Sequence, residues 1–387
     1  MSDLKDKNIL FLCTWYPARI FPANGNFIFK HARCLLRKGI PVTILNVCED
    51  ASISKRFEMV EGEEEGVNHL IIYYRYSFSI FKFLYKVIGY FKGMRYLRKK
   101  KGEFDLIHVN VLIDAGFIAL MNFFLKSTPY VITEHNSVFL PENPFKVPFL
   151  FKPIVKWTIQ KSAYILPVAE ILGFYMSSFF PKTPVKVIPN VVDANVFNYS
   201  NQREKSEKIN FIHISNFVEL KNVKGILRVI KQLSEVRTDF TLTIAGDGDL
   251  KEMKSYAEFL NIPLDLISFH GEMTEAEVAN ILSLKDVFVL FSDFENLPCV
   301  LVEAQMSGMP LVATDVGGIR EILRSKEDGI LIPARDESKL LESLHEMINN
   351  FDDYNGAEIR QRAVKKYSEE AVADAFISIY KDVLKVC

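Results

Sequence analysis

Residues 286–315 read DVFVLFSDFENLPCVLVEAQMSGMPLVATD. Two apolar runs, DVFVLFS (286–292) and PLVATD (310–315), bracket a segment of helical length. Pro298 suits the first turn of a helix, where its missing N–H is an orphan anyway. Gly308 suits the stop. The spacing therefore predicts a helix over 298–307, between two strands that are apolar throughout. Strands without polar alternation are buried on both faces, as in parallel sheets covered by helices.

The same unit recurs along the chain. NILFLC (8–13), VTILNV (42–47), HLIIYY (69–74), DLIHVN (105–110), YVITE (130–134) and AYILPV (163–168) form one series. INFIHIS (209–215), FTLTIAG (240–246), LISFHG (266–271), DVFVLFS and PLVATD form a second. Helix-length segments separate most of them, so two doubly wound α/β domains are expected. The polar run NYSNQREKSEK (198–208) reads as the linker. The closing segment 367–386 reads as an amphipathic helix, with Ser368 at its start and Val372, Phe376, Ile379, Val383 and Val386 on one face.

Bulk composition agrees with two globular domains. The chain has 387 residues, 49% hydrophobic and 25% charged, more than one core usually holds. A net charge of −1 provides no whole-molecule field for nucleic acid. Five widely spaced cysteines with no CxxC fit neither a disulfide framework nor a zinc site, and a reducing cytosol is the simplest compartment. The first residues lack a signal peptide's layout, and no apolar stretch is long enough to span a bilayer.

Within the opening stretch stand two carboxylates, Glu295 and Glu303. Glu295 falls in the loop and Glu303 in the second helical turn. The first-turn N–H groups of Cys299 and Val300 lie at the carboxyl end of a parallel strand, where α/β folds bind ligands, and a helix N-terminus favours an anion such as phosphate. A carboxylate beside a phosphate needs donors, and ribose hydroxyls supply them. The bland alternative is acids that merely complement a helix dipole.

The surroundings resemble the retaining GT-B glycosyltransferases of family four (glycosyl transferases group 1). The run from Ser292 through ENLPCVLVEAQMSGMPLVATDVGGIREILRSKEDGILI is similar to that family's donor signature, with Glu295/Glu303, Gly308, Pro310, Gly317-Gly318 and Glu321 in order. SNFVELKNVKGI (215–226), AGDGDL (245–250), ISFHGEM (267–273) and VIPNVVDANVF (187–197) match further pieces. The resemblance implies a GT-B fold, two Rossmann-like domains facing across a cleft. It implies an acceptor domain over 1–195, joined by the closing helix 367–387, and a donor domain over 205–366. It implies that Lys221 neutralises the donor diphosphate, that Glu303 holds the ribose and that Glu295 lies beside the donor sugar. It also implies that backbone groups of Leu297, Cys299 and Val300 contact sugar and phosphate, that Gly246 belongs to a second glycine loop, and that the turn at Met273 holds the base. In the first domain, Gly25 matches a glycine loop and His135 a histidine that touches the donor sugar. His108, inside a strand, reads as structural.

The chain departs from the pattern at three places. Asn216 stands where the family usually has Arg, which leaves the phosphate clamp to Lys221 with help from Lys224. Leu297-Pro298 replaces Phe-Gly, and proline has no N–H to offer a sugar. One glycine remains of the usual two in the first loop.

The expected reaction transfers a sugar from a nucleotide sugar, UDP- in preference to GDP-, to an acceptor hydroxyl with retention. No Asp-x-Asp metal motif follows a strand, and neither metal nor cofactor is expected. Residues 75–101 carry nine basic residues, no acid and interleaved aromatics. They read as a patch for an anionic membrane surface or as a covering helix with a solvated basic face. The run 144–157, PFKVPFLFKPIVKW, adds weight to the membrane. The expected partners are a nucleotide sugar and a glycan or lipid-linked acceptor, with no nucleic acid, and the expected place is the cytoplasm or the inner face of its membrane. The rivals are a transferase to a small hydroxy acid, a nucleotide-sugar epimerase or phosphorylase, and a non-catalytic nucleotide-sugar binder.

Overall fold

Thirteen strands form two sheets in the computed structural model, which describes residues 4–22, 24–141, 151–199 and 207–386. The first sheet contains β1 (Ile9–Cys13), β2 (Val42–Glu49), β3 (Phe57–Glu64), β4 (Val67–Tyr74), β5 (Leu106–Asn110), β6 (Tyr130–Glu134) and β7 (Tyr164–Pro167). Their order is β3-β4-β2-β1-β5-β6-β7. All neighbours run parallel except β3, which is antiparallel to β4. The second sheet contains β8 (Ile209–Ile214), β9 (Phe240–Ala245), β10 (Ile267–His270), β11 (Val287–Leu290), β12 (Leu311–Thr314) and β13 (Gly329–Ile332). Its order is β10-β9-β8-β11-β12-β13, parallel throughout.

Every strand of both expected series is present. β3 was not anticipated. Its residues FEMVEGEE are half acidic and only partly buried, so it lacks the apolar signature of its neighbours. It sits at the sheet's edge, where charge discourages pairing with another chain.

The chain divides into two compact units, Met1–Val191 with Glu369–Cys387 and Val192–Ser368. Residues 192–195, read from sequence with the first domain, are tied into the second unit. The Val192 N–H donates to the Tyr367 carbonyl at 2.9 Å, and the Arg360 guanidinium holds the carbonyls of Ala194 and Phe197. The expected linker, 198–208, falls mostly outside the described residues, as does 144–150 of the second aromatic-basic run.

The closing segment forms the single expected helix, Glu369–Leu384, preceded by another, Gly356–Tyr367. They break at Ser368, whose ψ of 157° is extended. The second helix buries Val372, Phe376 and Tyr380 in the core of the first unit, against Phe11, Ile28 and Leu35. Arg33, 5% exposed, donates to Glu369 at 3.0 Å. The second unit has its own core of Phe211, Ile226, Ile244, Val289, Phe291 and Leu344.

Helix Lys82–Lys101 covers the first sheet through a glycine seam. A Cβ on Gly89 would lie 2.7 Å from Val47, and one on Gly93 would lie 2.5 Å from Leu45. Among the described residues no helix is long and apolar enough to cross a membrane.

Candidate active site

The second sheet reverses its winding between β8 and β11. An open α/β sheet forms a crevice at such a point, outside the carboxyl ends of its strands. The loop after β8 leads into a short 3-10 turn, Glu219–Lys221, and the loop after β11 carries Ser292 and Glu295. The Asp293 N–H donates to the Leu220 carbonyl at 2.8 Å, which laces the two loops together. Across this switch point the Lys221 ammonium donates to Glu295 Oε1 at 2.6 Å, and the Ser292 hydroxyl donates to the same oxygen at 2.7 Å. Glu295 is only 7% exposed. A carboxylate so deep requires such partners, because an unpaired buried charge is costly.

The Glu295 loop is fixed from the other side by glycine. Gly317 has φ of +53°, and a Cβ there would lie 1.8 Å from the Glu295 carbonyl oxygen. Only glycine allows that approach. The Gly318 N–H then donates to the Asn296 carbonyl at 2.7 Å. The Gly317-Gly318 pair is therefore the support on which the acidic loop rests.

Helix Cys299–Met306 follows. It starts one residue later than the sequence predicts and ends one earlier. Pro298 is its N-cap, not its first helical residue, because its ψ of 110° is extended. Leu297 is buried, Cys299 and Val300 form the half-buried first turn, and Glu303 lies in the second turn.

The loops after β8, β9 and β10 line up along the same carboxyl edge. Gly246 has φ of +137°, and a Cβ there would lie 1.8 Å from the Ser215 carbonyl. Its N–H donates to the His270 carbonyl at 3.2 Å, three residues before half-exposed Met273. Asn216 is exposed beside this glycine loop. Lys224 points elsewhere, since its ammonium pairs with Glu252 at 2.7 Å. Lys221 thus has no helper in Lys224.

In the first unit, Gly25 has φ of +73° and begins helix Asn26–Arg37, with its Cα packed against the Trp15-Tyr16 backbone. Phe27, two residues on, stacks on His135 with ring centroids 4.1 Å apart. The two sequence-predicted residues of this unit thus belong to one patch. His135 is buried, and that burial, followed by neighbouring His31 and His108, holds its imidazole well below the ordinary range. It is a neutral hydrogen-bonding group, not a cation. His108 is fully buried with both ring nitrogens engaged, by Tyr380 at 2.5 Å and Thr133 at 2.6 Å, the structural role expected of it.

Two participants escaped sequence reasoning. Ser292 reads only as the polar end of a strand. Glu134 reads as the strand end before His135, yet it is fully buried. Its carboxyl accepts from the N–H groups of Leu112 at 3.0 Å and Asn136 at 2.7 Å, and burial pushes it up to about 7. It joins the loop carrying His135 to the turn after β5. That turn holds Val111 at φ +66° and Asp114 at φ +70°, strained values for non-glycine residues.

Four of the nine basic residues of 75–101 form ion pairs. Lys82 pairs with Glu49, Lys86 with Asp114, Arg98 with Glu103 and Lys100 with Glu61. Arg75 and Lys101 donate to Ile53 and Thr43, and Lys92 lies over Phe57.

Known proteins match this architecture. The fold aligns with sucrose-phosphate synthase of Thermosynechococcus elongatus at a TM-score of 0.77 and 16% identity, covering 98% of this chain and 100% of that one. It aligns with Anabaena HepE, solved with UDP and glucose, at 0.75 and 15%, covering 97% and 100%. Both share the GT-B fold. In sequence, the chain is 27% identical over 245 residues to the N-acetyl-alpha-D-glucosaminyl L-malate synthase of Bacillus anthracis, 60% of this chain and 63% of that one. It is 25% identical over 293 residues to a phosphatidyl-myo-inositol mannosyltransferase of Mycobacterium leprae, 73% and 74%. The chain thus spans less than two thirds of the malate synthase. Residues 25–196 match the model of Glycosyltransferase Family 4 and residues 197–371 that of Glycosyl transferases group 1, so the chain belongs to the group 1, family 4 glycosyltransferases.

Proposed function

We propose that this protein transfers a glycosyl group from a nucleotide-sugar donor, held by the second unit, to an acceptor hydroxyl, with retention at the anomeric carbon. The observation that carries the reading is the Lys221–Glu295 pair across the β8/β11 switch point, beside the N-terminus of helix Cys299–Met306. A cation and helix-end N–H groups suit a departing diphosphate. UDP is the nucleotide we favour, because the HepE neighbour was solved with UDP-glucose.

In this reading Lys221 exchanges Glu295 for the donor phosphates, and Glu295 turns to a sugar hydroxyl. Glu303 takes the ribose, and Leu297, Cys299, Val300, Gly246, Asn216 and Met273 frame the donor. In the first unit we assign His135 and Gly25 to neutral contacts with sugar and phosphate. The bond from anomeric carbon to phosphate oxygen breaks with its electron pair on the diphosphate. The acceptor oxygen attacks the same face and yields its proton to the leaving phosphate. Glu295 does not act as one of a hydrolase-like pair, since the second acid, Glu303, is assigned to the ribose, on the far side of the diphosphate from the scissile bond. Trapping a glycosyl-enzyme would refute this step.

The experiment is a thermal-shift screen against nucleotide sugars, with UDP and GDP controls, because a ligand that binds only the native state raises its melting temperature. UDP-sugars should stabilise wild type, and Glu303→Ala and Lys221→Ala should abolish the shift. A full shift in Glu303→Ala removes the ribose assignment.

The acceptor we favour is a glycan or lipid-linked intermediate reached at a membrane surface. With four of the nine basic residues of 75–101 in ion pairs, exposed apolar side chains add to the support. Phe78 is 68% exposed and Ile80 82%, with Phe83 and Leu84 beside them. Phe78→Ser with Ile80→Ser should release the protein from anionic liposomes. Unchanged sedimentation of that variant would end the membrane proposal. Similarity to the malate synthase keeps a hydroxy-acid acceptor as the second reading.

A further inference from the structure

A cavity of about 440 Å³ opens in the first unit between the 3-10 turn Ser137–Phe139, helix Lys152–Lys161 and helix Glu170–Phe179. That volume lies within the range of small-molecule sites. Two of its three walls are helix sides, and none of the residues carried over from the family lines it.

The wall is apolar. Val138, Phe139, Val155, Phe179 and Phe180 supply most of it, with the rings of Phe139 and Phe180 edge to face at 6.2 Å. Tyr175 adds the one hydroxyl among the described lining residues. Such a wall accepts a hydrocarbon. It cannot orient a polar ring, which needs several placed donors and acceptors.

The rim carries one sign of charge. Lys152 and Lys156 stand there exposed, four positions apart and so on one helix face. Among the described residues neither ammonium has a carboxylate partner, unlike Lys82 and Lys86. Helix Lys152–Lys161 has no acid, and Lys152 occupies its first turn, where the dipole favours an anion over a cation. An anion held by both lysines relieves their mutual repulsion and the clash with the dipole together. Around the mouth, Phe151, Trp157, Phe174 and Phe179 are 47% to 63% exposed. Trp157 meets Phe124 of the next helix, Ala115–Lys126, at 5.9 Å. Exposed aromatics among lysines are the composition of a surface that enters a bilayer interface.

We propose that this cavity takes one acyl chain of an anionic bilayer phospholipid, with the lipid phosphate on Lys152 and Lys156. The inference rests on the membrane-surface reading and deepens it, since it names the lipid and a contact apart from Phe78 and Ile80.

The chain has two tryptophans. Trp157 adjoins Lys156, and Trp15 follows β1. Indole N–H resonances of the full chain, assigned with Trp15→Phe, therefore report on the cavity mouth and on a control position at once. Monomeric dihexanoyl phosphatidylglycerol should shift Trp157 and leave Trp15 in place. Glycerophosphate, which has no chains, should shift neither. Val155→Phe fills the cavity and should abolish the lipid shift. Lys152→Gln with Lys156→Gln should weaken the lipid about tenfold, and dihexanoyl phosphatidylcholine, whose choline repels the lysines, should bind wild type about tenfold more weakly. The proposal is overturned if glycerophosphate moves Trp157 as far, if the choline lipid binds as tightly, or if the variants bind like wild type. A wild-type dimer that Val155→Phe dissociates in sedimentation would make a second copy the occupant and overturn it too. Liposome binding that depends on Phe78 and Ile80, with no short-chain lipid on Trp157, would leave the membrane-surface reading standing and remove this one. Short-chain lipid on Trp157 without liposome binding would do the opposite.

Discussion

The two units repeat one architecture and fill it differently. At its switch point the second unit places an ammonium against a carboxylate, Lys221 and Glu295, beside a helix end. The first unit buries neutral rings and acids. His31, His108 and His135 are all buried there, as is Glu134, whereas His213 is the one buried histidine of the second unit among the described residues. A parallel sheet supplies only the crevice. The residues on its loops decide whether that crevice receives charge or hydroxyls.

The comparison breaks most visibly at the core. Phe376 is fully exclusive to the first unit's core. Phe376→Ala should cost about 4 kcal/mol and lower the urea midpoint of that unit while the transition of the second stays put. A concerted shift of both transitions would show the units to be one cooperative body.

Acid tests the histidines. Burial holds His31 down to about 4 in the folded state, against 6.5 ordinarily, with its ring N–H on the Pro189 carbonyl. Burial likewise holds His213 to about 4. A depressed histidine means that the unfolded chain binds the extra proton. Stability is therefore full above pH 6.5 and declines as pH falls towards 4, by about 3 kcal/mol per group. Glu134 acts in the opposite sense. Its carboxyl, raised to about 7, makes the folded state bind the extra proton between the ordinary carboxylate range and 7, so its contribution is fullest at low pH and is lost as pH rises through 7. Three depressed histidines outweigh one raised acid, so the first unit should melt earlier than the second on acidification to pH 4. In Glu134→Gln the first unit's stability should rise more steeply with pH between 5 and 7 than in wild type, read from melting temperatures.

A smaller effect isolates the second unit's loop. Gly317→Ala forces a left-handed φ on alanine and drives its Cβ into the Glu295 carbonyl. It should cost about 2 kcal/mol and reduce nucleotide-sugar stabilisation, without touching the first unit. Smallest of all, Lys100→Ala removes an exposed pair with Glu61 and should leave the urea midpoint unchanged, as exposed pairs contribute little.

Legibility followed burial. Strands apolar on both faces announced themselves, and every one of them formed. β3 did not, because its acidic edge residues carry no core pattern. At the second unit's crevice the places of Glu295, in the loop before the helix, and of Glu303, in its second turn, could be read from the local sequence. The pairing of Glu295 with Lys221 was not legible, because the two lie 74 positions apart, and Lys221 itself stood out only through family likeness. Glu134 was silent, since nothing local distinguishes a buried acid from the polar end of a strand. The stacking of Phe27 on His135 and the matching of Lys82 by Glu49 are likewise set by topology, not by neighbours in the chain.

The helix Glu369–Leu384 has a consequence for biosynthesis. The ribosome makes all of the second unit, residues 192–368, before this helix exists. Until then the first unit lacks Phe376 and Tyr380, and His108 lacks the hydroxyl that meets its Nδ1. Domains usually complete in the order of their synthesis. Here the later half can close first, while the earlier half waits with an open apolar seam for the last helix to arrive.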